Sequence, residues 1–183
     1  GSDIEMHWVD FTDPSSGLVD QAEQLFCVRS DTDPPILYLN SSISQFAQIM
    51  LSQGTHGAKA RIRDSLAHRV ASQTWHVLLA STLAKLGDFI REEHEDPDIE
   101  FSSREMIGQL TSWQQKLITD FVSEESLTDE EMPNVDRLIE RLSLNADRER
   151  ILIREAADYI QQLLLREEPL DGFIKEFLLG SGS

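Results

Sequence analysis

Cysteine is nearly absent from this sequence: Cys27 is the single one among 183 residues. One thiol can close no disulfide within the chain and can build no thiolate metal cluster, which favours a reducing, cytoplasmic setting. Positive charge is also short. Sixteen Lys and Arg residues face thirty-three Asp and Glu, for a formal net charge of −17. That balance argues against general nucleic-acid binding, because each phosphate contact needs a cation to displace counterions. It argues equally against docking on anionic membranes, and it suits solubility or a cationic partner. No apolar run approaches the roughly 18–20 residues of a bilayer span. No charged-then-apolar leader opens the sequence.

Catalytic signatures are missing as well. The sequence contains neither a GxSxG elbow nor an HExxH pair. Cys27 falls in a predicted strand, where a thiol is usually buried and inert. Carboxylates are so abundant that any two can be imagined as an acid and a base, so no pair of them is evidence. Neither a repeat at a fixed period nor a low-complexity tract is present. The expectation is a protein that is not an enzyme, with no catalytic residues, no metal and no cofactor.

What is there describes an ordinary globular protein. Hydrophobic residues make up 40% and charged residues 27%, enough apolar content to bury a core over one domain or two small ones. Residues 1–2 and 180–183, Gly-Ser and Gly-Ser-Gly-Ser, read as cloning or linker remnants. The first forty residues carry the strand signature of aromatic and β-branched runs punctuated by Asp and Pro, at 6–11, 25–30 and 36–40. Asp33-Pro34-Pro35 is too stiff for a two-residue hairpin turn, so a longer loop is expected between the second and third runs.

After Asn40 the period changes. Ile43, Phe46, Ile49 and Met50 lie on one face of a short helix. A second helix follows from about residue 58 into the eighties, with Ile62, Leu66 and Val70 along one side. The segment VLLASTLAKL beyond His76 is apolar nearly all round, which predicts burial on most faces. Gly87 is the expected break in this long helix, and the charged stretch 91–103 the expected connector. Beyond it, Ser102 and Glu105 form a capping box. Met106, Leu110, Trp113, Leu117 and Phe121 trace an apolar stripe, Pro133 opens a helix, and Asn145 caps another. The fold class is therefore α+β and predominantly α-helical, with a small N-terminal β element of two or three strands followed by a bundle of about five to six helices. An α+β part (3–95) and an acidic helical part (102–179) are expected to pack as one compact unit.

Charge is segregated along the chain. Residues 1–40 hold one base and eight acids; residues 41–87 hold five bases and one acid, Asp64; residues 88–183 hold ten bases and twenty-four acids. The one positive segment opens with SQGTHGAKARIRD at 52–64. Its glycines invite a phosphate-loop reading, and the spacing defeats it. A Walker loop needs four residues between its glycines and a Lys directly after the second. Here Gly54 and Gly57 are two residues apart, Lys59 comes late, and a helix rather than a strand precedes them. The glycines fit a helix–helix turn instead.

Along the second helix Arg61, Ser65, His68, Ser72 and His76 step by three or four and form a polar stripe, with Arg69 and Gln73 beside it. Lys59, Arg61, Arg63, His68, Arg69 and His76 are therefore the candidate contact residues. Three readings compete for them: pairing with acids of the surrounding helices, a surface for a protein partner, or an anion or nucleic-acid contact. The last lacks the interleaved aromatics that base stacking uses. His68 and His76 are about 12 Å apart along a helix, too far for one ion. The acidic run at 92–98 has no glycine for a calcium loop. The apolar end GFIKEFLL offers Leu170, Phe173, Ile174 and Phe177 either to cap the core or to dock as an amphipathic helix.

Together these features favour a non-catalytic protein-protein interaction or scaffold domain, a segment of a larger cytoplasmic protein or complex. Its partner would be another protein or other domains of the parent chain. An alternative from a different class is an acidic nucleic-acid mimic that occupies a cationic site on its target. A third is a nucleic-acid-associated component that uses the basic segment 59–69.

Overall fold

The computed structural model describes residues 4–96, 98–124 and 134–143. It has a three-stranded sheet followed by helices, the α+β and predominantly helical class expected. Strands β1 (Glu5–Val9), β2 (Phe26–Arg29) and β3 (Ile36–Asn40) are ordered β1-β3-β2. β3 is central, parallel to β1 with Trp8 beside Leu39, and antiparallel to β2 with Val28 beside Leu37. This register puts Met6, Trp8, Phe26, Val28, Leu37 and Leu39 on one face, because side chains alternate along a strand. β3 is the most buried strand, with Leu37, Leu39 and Asn40 all inaccessible.

Helix α1 (Ser44–Met50) follows directly, and its Phe46 ring packs 5.6 Å from that of Trp8. The predicted face is present: Phe46 and Met50 are buried and Ile43 and Ile49 half-buried. Helix α2 (Ala58–Glu95) then runs unbroken for 38 residues, about 57 Å at 1.5 Å per residue. Gly87 does not break it. A helical glycine costs about 1 kcal/mol against alanine, and the buried Leu83, Leu86 and Ile90 around it outweigh that. The helix also takes in residues 91–95 of the expected connector, where Arg91 pairs with Asp88 at 2.9 Å. It stops just before Asp96-Pro97, as the residue before a proline disfavours the helical region.

Two expectations about the faces of α2 need correction. Ile62, Leu66 and Val70 do not share a buried side: Ile62 is exposed, Leu66 half-buried and Val70 buried. A step of four residues overshoots a 3.6-residue turn, so such a line drifts around the helix. The buried line is instead Ala60, Arg63, Ala67, Val70, Ala71 and Thr74. Nor is the following segment buried all round. Leu78, Leu79, Leu83 and Leu86 are buried, while Val77, Ala80 and Ala84 are exposed.

Helices α3 (Ser103–Gly108), α4 (Ser112–Glu124) and α5 (Asn134–Ser143) complete the described chain. The Ser102–Glu105 capping box is present: Ser102 Oγ accepts from the Glu105 N–H at 3.2 Å, and Glu105 Oε2 accepts from the Ser102 N–H at 2.9 Å. Met106, Leu110, Trp113, Leu117 and Phe121 are all buried, as their spacing predicts. The helix itself is interrupted between α3 and α4, where Gln115 donates to the Leu110 carbonyl and Gln114 accepts from the Thr111 N–H. α5 contacts both α3 and α4 and buries Leu138. The expectations for Pro133, Asn145 and everything after residue 143 lie outside the described residues.

The chain forms two compact units, and the division falls inside α2 between Thr74 and Trp75. In the first, Phe11, Leu37, Leu39, Phe46 and Met50 are buried together with the early α2 line. In the second, the core holds Leu78, Leu79, Leu83, Leu86 and Ile90 of α2 with Met106, Trp113, Ile118, Phe121 and Leu138.

Candidate functional site

The turn 51–57 and the first half of α2 carry the residues the charge map singled out. Gly54 has φ +140° and Gly57 φ +99°, backbone values that residues with a Cβ rarely adopt. Both glycines lie in the connection between α1 (Ser44–Met50) and α2 (Ala58–Glu95), so a helix rather than the strand of a phosphate loop precedes them, and they fit a turn between helices.

Arg63, one of the contact candidates, turns inward and keeps 7% of its surface exposed. Its Nη1 donates to the Ser52 carbonyl at 3.0 Å and to the Gly54 carbonyl at 2.7 Å. Nε and Nη2 donate to Asp64 Oδ1 at 3.0 and 2.9 Å. A planar guanidinium can serve a carboxylate and two carbonyls at once, which an ammonium cannot. The residue thus clasps the turn to the second turn of α2, and it engages Asp64, the one acid of residues 41–87.

The other candidates face outward. Lys59, Arg61, His68 and Arg69 are exposed, and His76 is half-buried. Among the described residues no carboxylate stands within ion-pairing distance of Lys59, Arg61, His68 or Arg69. Arg61, Ser65 and Arg69 follow one another at four-residue steps, with Ile62 beside them at 49% exposure. The C-terminal candidates Leu170, Phe173, Ile174 and Phe177 lie outside the described residues.

The remaining titratable groups stand apart from this surface. His7 meets Glu5 at 3.3 Å on the sheet, and Arg29 meets Asp31 at 2.9 Å. Arg29 holds the Asp31 carboxyl below its usual range, and the Ser15 N–H and hydroxyl do the same for Asp13. Cys27 lies half-buried in β2 opposite Tyr38, where burial pushes its thiol up. A raised thiol holds less thiolate at neutral pH and is a poorer nucleophile. Among the described residues no group of three or more His, Cys, Asp or Glu side chains is arranged to hold a metal ion. No described helix is long and apolar enough to cross a membrane.

One residue escaped the sequence reading. Asn40, at the end of β3, is fully buried. Its Oδ1 accepts from the Phe11 N–H, the Ser42 N–H and the Ser42 hydroxyl at 3.3, 3.0 and 2.6 Å. Its Nδ2 donates to the Ala22 and Gln24 carbonyls at 2.9 and 2.8 Å. The available signal was a lone amide closing an apolar strand immediately before Ser41-Ser42.

The fold and surface define a predominantly helical α+β protein with an outward-facing basic stretch on an otherwise acidic chain. No family model, curated protein or solved structure matches it.

Proposed function

We propose that this chain is a non-catalytic protein-interaction or scaffold domain of a larger cytoplasmic protein or complex, and that the exposed side of α2 between Lys59 and Arg69 contacts its partner. One observation carries the reading. Lys59, Arg61 and Arg69 are exposed and unpaired among the described residues, in a chain that has thirty-three carboxylates to offer them. Internal neutralisation was the simpler use of these bases, and among the described residues Arg63 alone of the four takes it. Leaving like charges together on a surface costs stability through self-repulsion, and an opposing partner surface relieves that cost.

The nucleic-acid reading is less well supported. A phosphate backbone extends beyond a patch of about three turns onto surface dominated by the −17 balance. The mimic reading rests on carboxylates dense on one face, and half of the twenty-four acids of residues 88–183 that would form such a face lie outside the described residues.

The test is a double charge reversal, Arg61→Glu with Arg69→Glu, compared with Arg63→Met. Reversal of the exposed pair is expected to leave the melting temperature unchanged and to abolish capture of a partner identified from host lysate by cross-linking. If reversal lowers the melting temperature as Arg63→Met does and leaves capture intact, these bases are internal supports and the reading fails.

A further inference from the structure

Resting on that reading, the geometry points to one occupant for this face: we infer that the first half of α2 docks an acidic amphipathic helix. Such a helix would present two carboxylates two turns apart with an apolar side chain between them. Arg61 and Arg69 are eight residues apart on the exposed side of α2, a rise of about 12 Å. Glu residues at i and i+7 or i+8 of a helix have nearly the same separation, so two helices lying side by side can pair both guanidiniums with both carboxylates. Each pair can be bidentate, which fixes orientation as well as attraction.

Ile62 supplies the second element. It is 49% exposed, one residue after Arg61 and seven before Arg69, so it stands within the cationic patch. Ser65, also exposed, is small enough to let a neighbouring backbone approach. A Leu or Met at i+3 or i+4 of the incoming helix would cover Ile62 while its flanking carboxylates meet the arginines. Apolar burial between charge pairs is the usual anatomy of helix-to-helix recognition, with the apolar contact giving affinity and the charges giving register.

The same features disfavour other occupants. A nucleic-acid strand would place phosphates over Ile62 with nothing to bury it, and between Lys59 and Arg69 the His68 imidazole is the single ring a base could stack on. A second copy of this chain brings its own −17 charge, which opposes approach at low salt.

The experiment uses the full chain and three fluorescent probes: a helical peptide of roughly six turns with the pattern Glu-x-x-Leu-x-x-x-Glu, its Gln-for-Glu counterpart, and a single-stranded DNA oligonucleotide. Anisotropy titrations are run at low and physiological salt. The Glu peptide is expected to bind, and the Gln peptide to bind weaker by about tenfold or more, the scale of a lost charge-assisted pair. Arg61→Glu/Arg69→Glu should abolish binding, and Ile62→Ser should weaken it several-fold at both salts, with circular dichroism unchanged in each. Equal binding of the Glu and Gln peptides, binding of neither, or preference for DNA overturns the inference. Concentration-dependent self-association that the double reversal removes would assign the face to a second copy and overturn it too. If the Glu peptide fails while the double reversal still abolishes capture of the cellular partner, the interaction-domain reading stands and only this occupant falls.

Discussion

Arg63 Nη1 lies 2.7 Å from the carbonyl oxygen of Gly54, nine residues back along the chain, in the turn that precedes α2. The contact explains why one arginine of the basic segment is withdrawn from the surface while its neighbours are presented. It also makes a prediction. Arg63→Met keeps the apolar stem and removes every donor, leaving the Ser52 and Gly54 carbonyls and Asp64 without this partner. The turn is partly open to water, so the cost is moderate, about 1–3 kcal/mol. Arg63→Lys restores one point charge without the fork and should recover part of that loss. Denaturant melts of the three proteins test the order Arg, Lys, Met, and hydrogen exchange at 52–57 should speed up in the same order.

Asn40 is predicted to be the more sensitive position, because the residue is fully buried and its amide makes five hydrogen bonds. Asn40→Ala strands donors at Phe11 and Ser42 and acceptors at Ala22 and Gln24, and is expected to cost about 3 kcal/mol or more. Asn40→Asp separates the two halves of the network. It keeps the acceptor for Phe11 and Ser42 but sets a carboxylate oxygen against the Ala22 and Gln24 carbonyls. That favours the protonated acid in the folded state, so the folded pKa is raised. The sign follows: the variant gains stability as pH falls through the folded value, opposite to an ordinary surface Asp. Melting curves at neutral and mildly acidic pH measure it, and a variant whose stability simply declines on acidification contradicts the network.

The contrast between Arg63 and Asn40 shows what could be read from residue order. The strands, the α1 face, the capping box and the stripe Met106, Leu110, Trp113, Leu117, Phe121 were legible because each is a local pattern of spacing. The buried side of α2 was not. Alanines and an arginine line it through Ala60, Arg63, Ala67 and Ala71, while the conspicuous Ile62 points to solvent. Hydrophobicity favours the bulky residue, whereas close packing favours the small one. Arg63 read as a surface base because two of its four hydrogen bonds go to backbone carbonyls, which no side-chain pattern reveals. Asn40 was hidden for the same reason, since four of its five hydrogen bonds involve the main chain.

Acid sensitivity should be shallow and traceable. Asp31, beside Arg29, and Asp13, bonded by the Ser15 N–H and hydroxyl, both have folded pKa values below the ordinary carboxylate value. A depressed folded pKa adds stability above the unfolded value, about pH 4, and that stability is lost as pH falls through the folded value. Both groups are exposed, so the effect is small. Asp31→Asn should flatten the acid limb slightly, below about pH 4, and leave neutral stability nearly unchanged. Asp13→Asn should do the same while keeping an acceptor for Ser15, whereas Asp13→Ala also loses the cap of the short helical turn at Pro14–Ser16. Melts from neutral to acidic pH distinguish these three outcomes.

Two glycines make a paired test of the backbone. Gly87 sits in α2 with ordinary helical geometry, and a Cβ built there meets nothing within 4 Å. Gly87→Ala therefore removes unfolded-state freedom at no steric cost and should stabilise by about 0.5–1 kcal/mol. For a chain of this length that raises the melting temperature by about 2–4 °C per kcal/mol. Gly57 is equally uncrowded, yet its φ is +99°, where a side chain is strained whatever the space. Gly57→Ala should destabilise by about 1–2 kcal/mol. Since neither substitution creates or loses a side-chain contact, a difference in sign between them isolates the conformation of each residue. Stabilisation at both positions would mean that the turn does not hold Gly57 at positive φ. Destabilisation at Gly87 would mean that α2 is not a continuous helix through that residue.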